Sequence, residues 1–411
     1  MSFGIIILFF LINTLSAQQF KADVPWSDGR SKAEDLQVAL ITFSPGDMLT
    51  DWFGHTAIAV KDTSFHITRV YNFGLFSFDE GFVNRFAMGR LIFWAGDASM
   101  ASIINRYTRA NRTIFLQQLN ITDAKKMDLA EKLAAAVLPE NSHYLYHHYK
   151  DNCATRLRDL IDKAVDGELY RETDKPASLT FREHTRRYTA QSPLMQWLLM
   201  FLMNDSIDQP IKQWDEMFLP DELSKYVGRV KYPADGQKML VTDSYIIYDS
   251  HRPPVPEQTP TLPLWTVISG VVLGTITILL GKMYQSGKKF YIKIFDVYSL
   301  IISLLFGFLG SALFFMGNFT DHLVTHGNEN LFIANPLQLL IFFFTFILLF
   351  KKSAILIKWR GYLWMVLGVF TILLLMLKIL PAFDQDNYMI LAVLLPVNIC
   401  FAISSRMNRS A

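Results

Sequence analysis

One cysteine at the start of a predicted helix is the residue of this chain best placed to do covalent chemistry. Apolar residues recur at helical spacing from Leu157 to Val165, and Asp151 or Asn152 stands where a helix N-cap is expected. Cys153 would then lie in the first helical turn, where the helix dipole and unpaired backbone N–H groups favour a thiolate. Because the thiolate is the nucleophilic form of cysteine, this position predicts a nucleophile. The alternative is a structural cysteine, the usual role of a lone buried thiol.

A cysteine nucleophile needs a base and a group that orients the base. Of the nine histidines in the chain, His55 has the most suitable context, because Gly54 permits a close backbone approach and a predicted strand follows. Its alternative role is that of a strand-end histidine with a backbone partner. His147 and His148 are close to Cys153 in sequence, but there they are expected to cap the helix or to face solvent.

The region around these residues has the pattern of an α+β domain. Three consecutive segments predict antiparallel strands: Leu36–Phe43, Trp52–Val60 and His66–Phe73. Residues 79–111 are expected to be mainly helical, and a strand at 114–120 and a helix at 122–137 follow. Ser192–Asn204 predicts a later apolar helix within the same domain.

The last third of the chain has the composition of membrane-spanning helices. Five segments are long and apolar enough to span a bilayer: roughly Leu262–Gly281, Phe295–Met316, Leu331–Phe350, Gly361–Leu380 and Tyr388–Ser404. The loops after the first and third segments are rich in lysine, whereas residues 317–330 and 381–387 carry neither Lys nor Arg. By the positive-inside rule, the basic loops and the C-terminus are cytoplasmic and the preceding domain lies outside.

The remaining boundaries follow from composition. Residues 1–17 form an apolar run that ends in small residues, which is typical of a secretory signal peptide, although an uncleaved anchor is the alternative. We expect an exported domain over 18–250, a Pro-rich linker over 251–261 and a membrane domain over 262–411. Cys153 and Cys400, the only cysteines, would then lie on opposite sides of the membrane and could not form a disulfide. The net charge of +2 indicates no class of partner, and nothing in the sequence suggests nucleic acid, a nucleotide loop, a metal or another cofactor.

Several motifs together resemble one bacterial family. They are Phe53-Gly54-His55-Thr56-Ala57-Ile58, Val70-Tyr71-Asn72-Phe73-Gly74, Asp151-Asn152-Cys153-Ala154-Thr155-Arg156, Phe218-Leu219-Pro220-Asp221-Glu222-Leu223 and Asn328-Glu329-Asn330-Leu331. The resemblance is to the lipoprotein N-acyltransferases of Bacteroides-type bacteria. That family joins a periplasmic domain of the circularly permuted papain-like type, akin to lecithin:retinol acyltransferase, to C-terminal transmembrane helices in the inner membrane.

The resemblance implies a function and a set of catalytic residues. An acyl chain would pass from a phospholipid to a Cys153 thioester, and then to the N-terminal amine of a diacylglyceryl-cysteine lipoprotein. His55 would be the general base, and the group that orients it would be Asn72, with His66 as the rival. Asp151, Asn152, Arg156 and Arg158 near the cysteine, and His322 and Asn330 in the membrane domain, are candidates for binding substrate. Two other functions stay open from the residues alone: a membrane-tethered cysteine hydrolase and a non-enzymatic binding module.

Overall fold

The computed structural model describes residues 24–232 and 238–407, and the chain forms two compact units. The first contains the residues up to Ser178 together with Pro210–Pro254, and the second contains Leu179–Gln209 and the chain from Val255 onward. The predicted signal peptide lies outside the described residues.

The first unit is built on a seven-stranded antiparallel sheet. Its strands in chain order are β1 (Leu36–Phe43), β2 (His55–Asp62), β3 (Ile67–Leu75), β4 (Ile92–Ser99), β5 (Ile114–Leu119), β6 (His143–Leu145) and β9 (Val241–Tyr248). They lie side by side in the order β6-β4-β3-β2-β1-β5-β9. A separate two-stranded ribbon pairs β7 (Lys231–Tyr232) with β8 (Lys238–Met239).

Short helices cover this sheet. In chain order they are α1 (Phe82–Ala87), α2 (Met100–Arg109), α3 (Asp123–Ala136), α4 (Pro139–Ser142), α5 (Cys153–Ala164), α6 (Glu168–Thr173), α9 (Gln213–Glu216) and α10 (Pro220–Val227). The unit is therefore α+β, as the sequence pattern predicts.

The sheet is buried on both faces because β1 is apolar on both of its faces. Leu40 belongs to the core that contains Leu133 of α3 and Leu157 of α5, whereas Phe43 belongs to the core that contains Ile103 of α2. Since successive side chains of a strand point to opposite faces, such a strand reads as a continuous apolar run. The expected bounds Leu36–Phe43 agree with the observed strand.

The helical prediction for residues 79–111 is wrong in its centre. Ile92–Ser99 forms strand β4 between two helices, and it pairs with β3 and with β6. Strands β3 and β4 approach each other closely at Gly96, where an added Cβ would lie 2.7 Å from Leu75 Cδ1. Pairing with residues distant in sequence overrides the local pattern here, which is the usual reason for such errors.

Among its described residues, the second unit contains five helices that are long and apolar enough to cross a membrane, as predicted. Their helical bounds are α11 (Leu264–Gln285), α12 (Lys289–Phe319), α13 (Leu337–Phe350), α14 (Ala354–Leu377) and α15 (Tyr388–Met407). The third membrane-spanning segment is longer than α13. It begins at Glu329, because the short 3-10 helix Glu329–Phe332 precedes α13.

Helices α7 (Phe181–Thr189) and α8 (Pro193–Leu202) belong to the second unit, whereas the sequence pattern places residues 179–209 in the exported domain. The indole N–H of Trp197 donates to the carbonyl of Met389 at 3.2 Å, and Arg186 forms an ion pair with Asp386 at 2.7 Å. An apolar helix pattern indicates that α8 is buried, but it does not indicate which partner buries it.

Helix α5, which begins at Cys153, has a fully bonded N-cap. Asn152 Oδ1 accepts from the N–H groups of Ala154 and Thr155 at 2.9 and 3.0 Å, and Thr155 Oγ1 accepts from the N–H of Asn152. The other end of the same amide donates to the carbonyls of His148 and Phe218 at 2.7 and 2.9 Å. This capping box fixes both the first turn of the helix and the chain that enters it.

We therefore expect Asn152→Ala to loosen the start of α5. Loss of a cap costs about 1–2 kcal/mol, so backbone amides over residues 153–164 should exchange with deuterium roughly 5–30 times faster. The matched control is Thr122→Ala, because Thr122 is the N-cap of α3 but makes no side-chain capping bond. Equal exchange over 153–164 in the two variants would contradict this role for Asn152.

Candidate active site

Cys153 lies at the first position of α5, against the sheet. Backbone N–H groups of Thr56, Ala154 and Cys153 itself face the sulfur. Gly74 of β3 has a positive φ of +86°, and a Cβ at that position would come within 3.7 Å of Cys153 Cβ. A side chain there would be strained and would narrow the space around the thiol.

His55 begins strand β2, directly before Thr56. Its Nε2 lies 3.3 Å from Oδ1 of Asn72, which is on the neighbouring strand β3. The amide nitrogen of Asn72 donates to the carbonyl of Val70 at 3.2 Å, so the oxygen faces the ring. An amide oxygen only accepts hydrogen bonds, so Nε2 carries the proton and Nδ1 keeps a lone pair. This tautomer is the one that a general base acting through Nδ1 requires.

The strand register separates the two candidates for the orienting group. His66 follows β2 in the turn to β3, where Asp62 pairs with Ile67, whereas His55 begins β2 at its other end. The seven residue-to-residue steps from His55 to Asp62 alone span about 23 Å of extended strand. Asn72 contacts His55, and His66 lies at the far end of the hairpin.

The two histidines that precede α5 have local partners. Nδ1 of His147 faces the N–H groups of Tyr149 and Lys150 at 3.2 Å, so this ring caps the turn that leads to α5. The ring of His148 packs edge-on against Phe53 at 4.4 Å, and burial lowers its pKa to about 4.

The thiol is held in its neutral form. Loss of surrounding water raises the pKa of Cys153 to about 11, and the facing N–H groups and the charge of Arg112 oppose this rise only in part. The sequence expectation that the helix start favours a thiolate identified a real contribution, but desolvation of the sulfur outweighs it.

The imidazole of His55 is neutral as well. Desolvation, and then the nearby charge of Arg112, lower the pKa of His55 to about 3, although the hydrogen bond that His55 donates to Asn72 opposes this change. Arg112 is buried, and it pairs with Asp51 at 3.0 Å and packs over the ring of Tyr107. Cys153 and His55 therefore form a neutral thiol and imidazole at neutral pH in this structure, not an ion pair.

Tyr144 is a polar neighbour of the thiol that the sequence analysis did not assign to the site. Its hydroxyl is buried and has no hydrogen-bond partner among the residues that the structure describes. The same added Cβ at Gly74 that would contact Cys153 would lie 3.8 Å from this hydroxyl. The guanidinium of Arg156 lies 3.6 Å above the ring. The sequence signal that could have indicated Tyr144 is its spacing. It lies two residues from Tyr146, and side chains at this spacing point to the same face of a strand.

The four predicted binding residues near the cysteine all have partners inside the first unit. Asn152 is the buried N-cap described above. Asp151 and Arg156 form a bidentate ion pair at 2.6 and 2.9 Å. Arg158 lies 4.0 Å from the ring of Trp214 and donates to its carbonyl at 3.1 Å. These contacts fix the start of α5 and the helix α9 that packs near it.

The two predicted binding residues of the membrane domain lie in the second unit. Asn330 is fully buried, and its side chain donates to the carbonyl of Phe201 at 2.9 Å and accepts from Asn387 at 3.0 Å. His322 is half-buried and precedes the short helix Leu323–Thr325. No cluster of three or more His, Cys, Asp or Glu side chains suited to a metal ion occurs within 24–232 and 238–407.

A sheet-rich domain with a Cys-His-Asn arrangement, joined to five apolar helices, defines a membrane-anchored protein with a candidate cysteine centre. The family model of the Lnb N-terminal periplasmic domain matches residues 22–187, and that of the Lnb transmembrane domain matches residues 259–410. The chain belongs to the Lnb family, which is apolipoprotein N-acyltransferase-like. It is thus a multi-pass inner-membrane protein with a periplasmic domain, associated with lipoprotein processing. No curated protein and no solved structure matches the chain.

The neutral thiol leads to a prediction about its reactivity with pH. In Cys400→Ser protein, where Cys153 is the only thiol, alkylation by iodoacetamide should be slow at pH 7. Because only the thiolate reacts, a pKa of about 11 means that the rate should rise about tenfold per pH unit up to pH 10. Glutathione provides the control, since its rate levels off once an ordinary thiol is ionised. A rate for Cys153 that is already level at pH 8 would contradict a neutral resting thiol.

Proposed function

We propose that this protein transfers an acyl chain from a phospholipid to the N-terminal amine of a diacylated lipoprotein through a thioester on Cys153. The observation that carries the proposal is the hydrogen bonding of the site. Asn72 Oδ1 orients the ring of His55 and leaves its Nδ1 unprotonated, and the next residue, Thr56, has its N–H facing the sulfur of Cys153. Membership of the Lnb family supports the substrate class.

The order of the elements supports a circularly permuted papain-like arrangement for the periplasmic domain. The histidine begins strand β2, its partner Asn72 lies on the next strand, and the cysteine helix comes about 100 residues later. Ordinary papain-like enzymes have the cysteine helix before the histidine strand. The lysine-rich loops of the membrane domain support a cytoplasmic C-terminus.

In the first step, His55 Nδ1 takes the thiol proton as Cys153 Sγ attacks the ester carbonyl of the phospholipid. The tetrahedral oxyanion would be stabilised by the N–H at the helix start and by the unpartnered hydroxyl of Tyr144. When the intermediate collapses, the carbon–oxygen bond of the ester breaks, and the leaving lysophospholipid takes the proton from His55. The product is an acyl thioester on Cys153.

In the second step, the α-amine of the lipoprotein's diacylglyceryl-cysteine attacks the thioester carbonyl. His55 takes a proton from the attacking amine, the carbon–sulfur bond breaks, and the sulfur regains a proton from His55. An amide forms and the enzyme returns to its starting state. A thioester is reactive enough to acylate an amine, so the reaction needs no nucleotide.

The proposal predicts a graded series in a transfer assay. Purified full-length protein with phospholipid vesicles and a diacylated lipopeptide should yield the triacylated product, measured by mass spectrometry. Cys153→Ser and His55→Ala should abolish the product. Tyr144→Phe should lower its rate about 100–1,000-fold, because one oxyanion donor is lost, without slowing alkylation of the resting thiol.

The control for this series is Tyr248→Phe, which removes a hydroxyl on the edge strand β9, three strands from β2, where its partner is Asn111. This variant should keep full activity. Release of free fatty acid in place of the N-acyl product would favour a hydrolase. Full activity of Cys153→Ser would contradict the proposal.

A further inference from the structure

A series of stacked aromatic rings runs from Tyr146, which precedes the cysteine helix, to Phe86 on the surface of the first unit. The ring of Tyr146 lies 4.2 Å from that of Phe93, and Phe93 lies 5.0 Å from Phe76. The series continues to Phe82 at 6.2 Å and from there to Phe86 at 6.1 Å. We call these five rings the aromatic track. Tyr146, Phe93, Phe76 and Phe82 are half-buried and Phe86 is exposed, so the track lies along the surface.

The inner end of the track is near the candidate nucleophile. Burial, and then the nearby charge of Cys153, raise the pKa of Tyr146, so the two side chains are close to each other. Phe76 comes two residues after Gly74, the glycine that approaches Cys153. Tyr144, whose hydroxyl is beside the thiol, pairs with Phe93 across β6 and β4.

The outer end of the track is an exposed apolar surface. Val83, in the same helix α1 as Phe86, is 78% exposed, and Phe86 itself is 54% exposed. Phe78, whose ring contacts that of Phe82 at 4.7 Å, is 41% exposed. Large apolar side chains gathered on one exposed surface mark an interaction site.

The chemistry of the track selects a hydrocarbon chain as the occupant. The four phenylalanine rings of the track offer a large apolar surface without polar groups, and the hydroxyl of Tyr146 faces Nδ1 of His148 at 3.5 Å. The described part of the chain contains five helices able to cross a membrane, so membrane lipid is an apolar ligand that this protein meets. Four ring-to-ring steps of 4.2 to 6.2 Å make the track comparable with the roughly 15 Å that the acyl chains of one leaflet occupy.

We infer that the aromatic track binds the acyl chain of the lipid donor, with the ester at Cys153 and the terminal carbons at Phe86. The inference rests on the proposed acyl transfer, and it adds the path by which the donor reaches the sulfur. The rings would then select long acyl chains over short ones, because each further methylene that is buried raises affinity up to about fourfold.

The first experiment measures lipid contact without catalysis. Full-length Cys153→Ser protein is placed in vesicles of phosphatidylcholine that carries a diazirine at the end of one acyl chain, and is then irradiated. We expect label on the peptide 76–93, and we expect Val83→Ser with Phe86→Ser to lower that label at least fivefold. The matched control is Tyr245→Ser with Ile246→Ser, two exposed side chains of β9, which should leave the label on 76–93 unchanged. Equal labelling of 76–93 and 241–248 in the Cys153→Ser protein would overturn the inference.

The second experiment separates this inference from the proposed function. With the Val83→Ser and Phe86→Ser protein, transfer from a dioleoyl phospholipid should fall at least tenfold, whereas transfer from a soluble dihexanoyl phospholipid should stay unchanged. Full activity of this variant on the dioleoyl donor would contradict binding of the acyl chain by the aromatic track, but it would not contradict the proposed acyl transfer. If the unaltered protein transfers no acyl chain at all, the proposed function fails, and the photolabel alone decides whether the track binds hydrocarbon.

Discussion

Desolvation of one sulfur atom is the constraint on which the candidate site depends. Cys153 begins a helix, and the N–H groups around it would favour a thiolate if water could reach it. The sheet excludes that water, and the pKa of the thiol rises to about 11. The arrangement holds because Asn152 fixes the helix start with four hydrogen bonds and because Gly74 leaves room for the sulfur against β3.

The neutral thiol and the neutral histidine suit the compartment. The bacterial periplasm is oxidising, and a permanent thiolate on its side of the membrane would be open to oxidation and disulfide exchange. In the proposed mechanism the thiol loses its proton only as it attacks the substrate, which avoids this exposure. That mechanism requires His55 to act as the base at the moment of attack, so its tautomer has to be set beforehand. The hydrogen bonds through Asn72 to the carbonyl of Val70 set it.

Local sequence patterns predicted the structural elements that are determined by nearby residues. Strand β1, a helix cap at Asp151 or Asn152 and the five apolar helices follow from periodicity, capping chemistry and hydropathy, and the structure shows that Asn152 is the cap. Strand β4 was missed because it is stabilised by pairing with β3 and β6, and the partner of α8 could not be inferred from its apolar face. The sequence also left Asn72 and His66 as rivals, since spacing along a chain does not show which end of a hairpin a residue occupies. Tyr144 and the protonation state of Cys153 depend on packing around the thiol, which no single segment encodes.

The most direct measurement is the mass of the peptide that contains Cys153 after purified protein has been incubated with phospholipid and no acceptor. The account predicts one added acyl chain on this peptide, removable by neutral hydroxylamine and absent in Cys153→Ser and His55→Ala. Addition of a diacylated lipopeptide should discharge it to an N-acyl product. If no adduct forms while the thiol is confirmed to be reduced and the lipid is untouched, acyl transfer through Cys153 is contradicted.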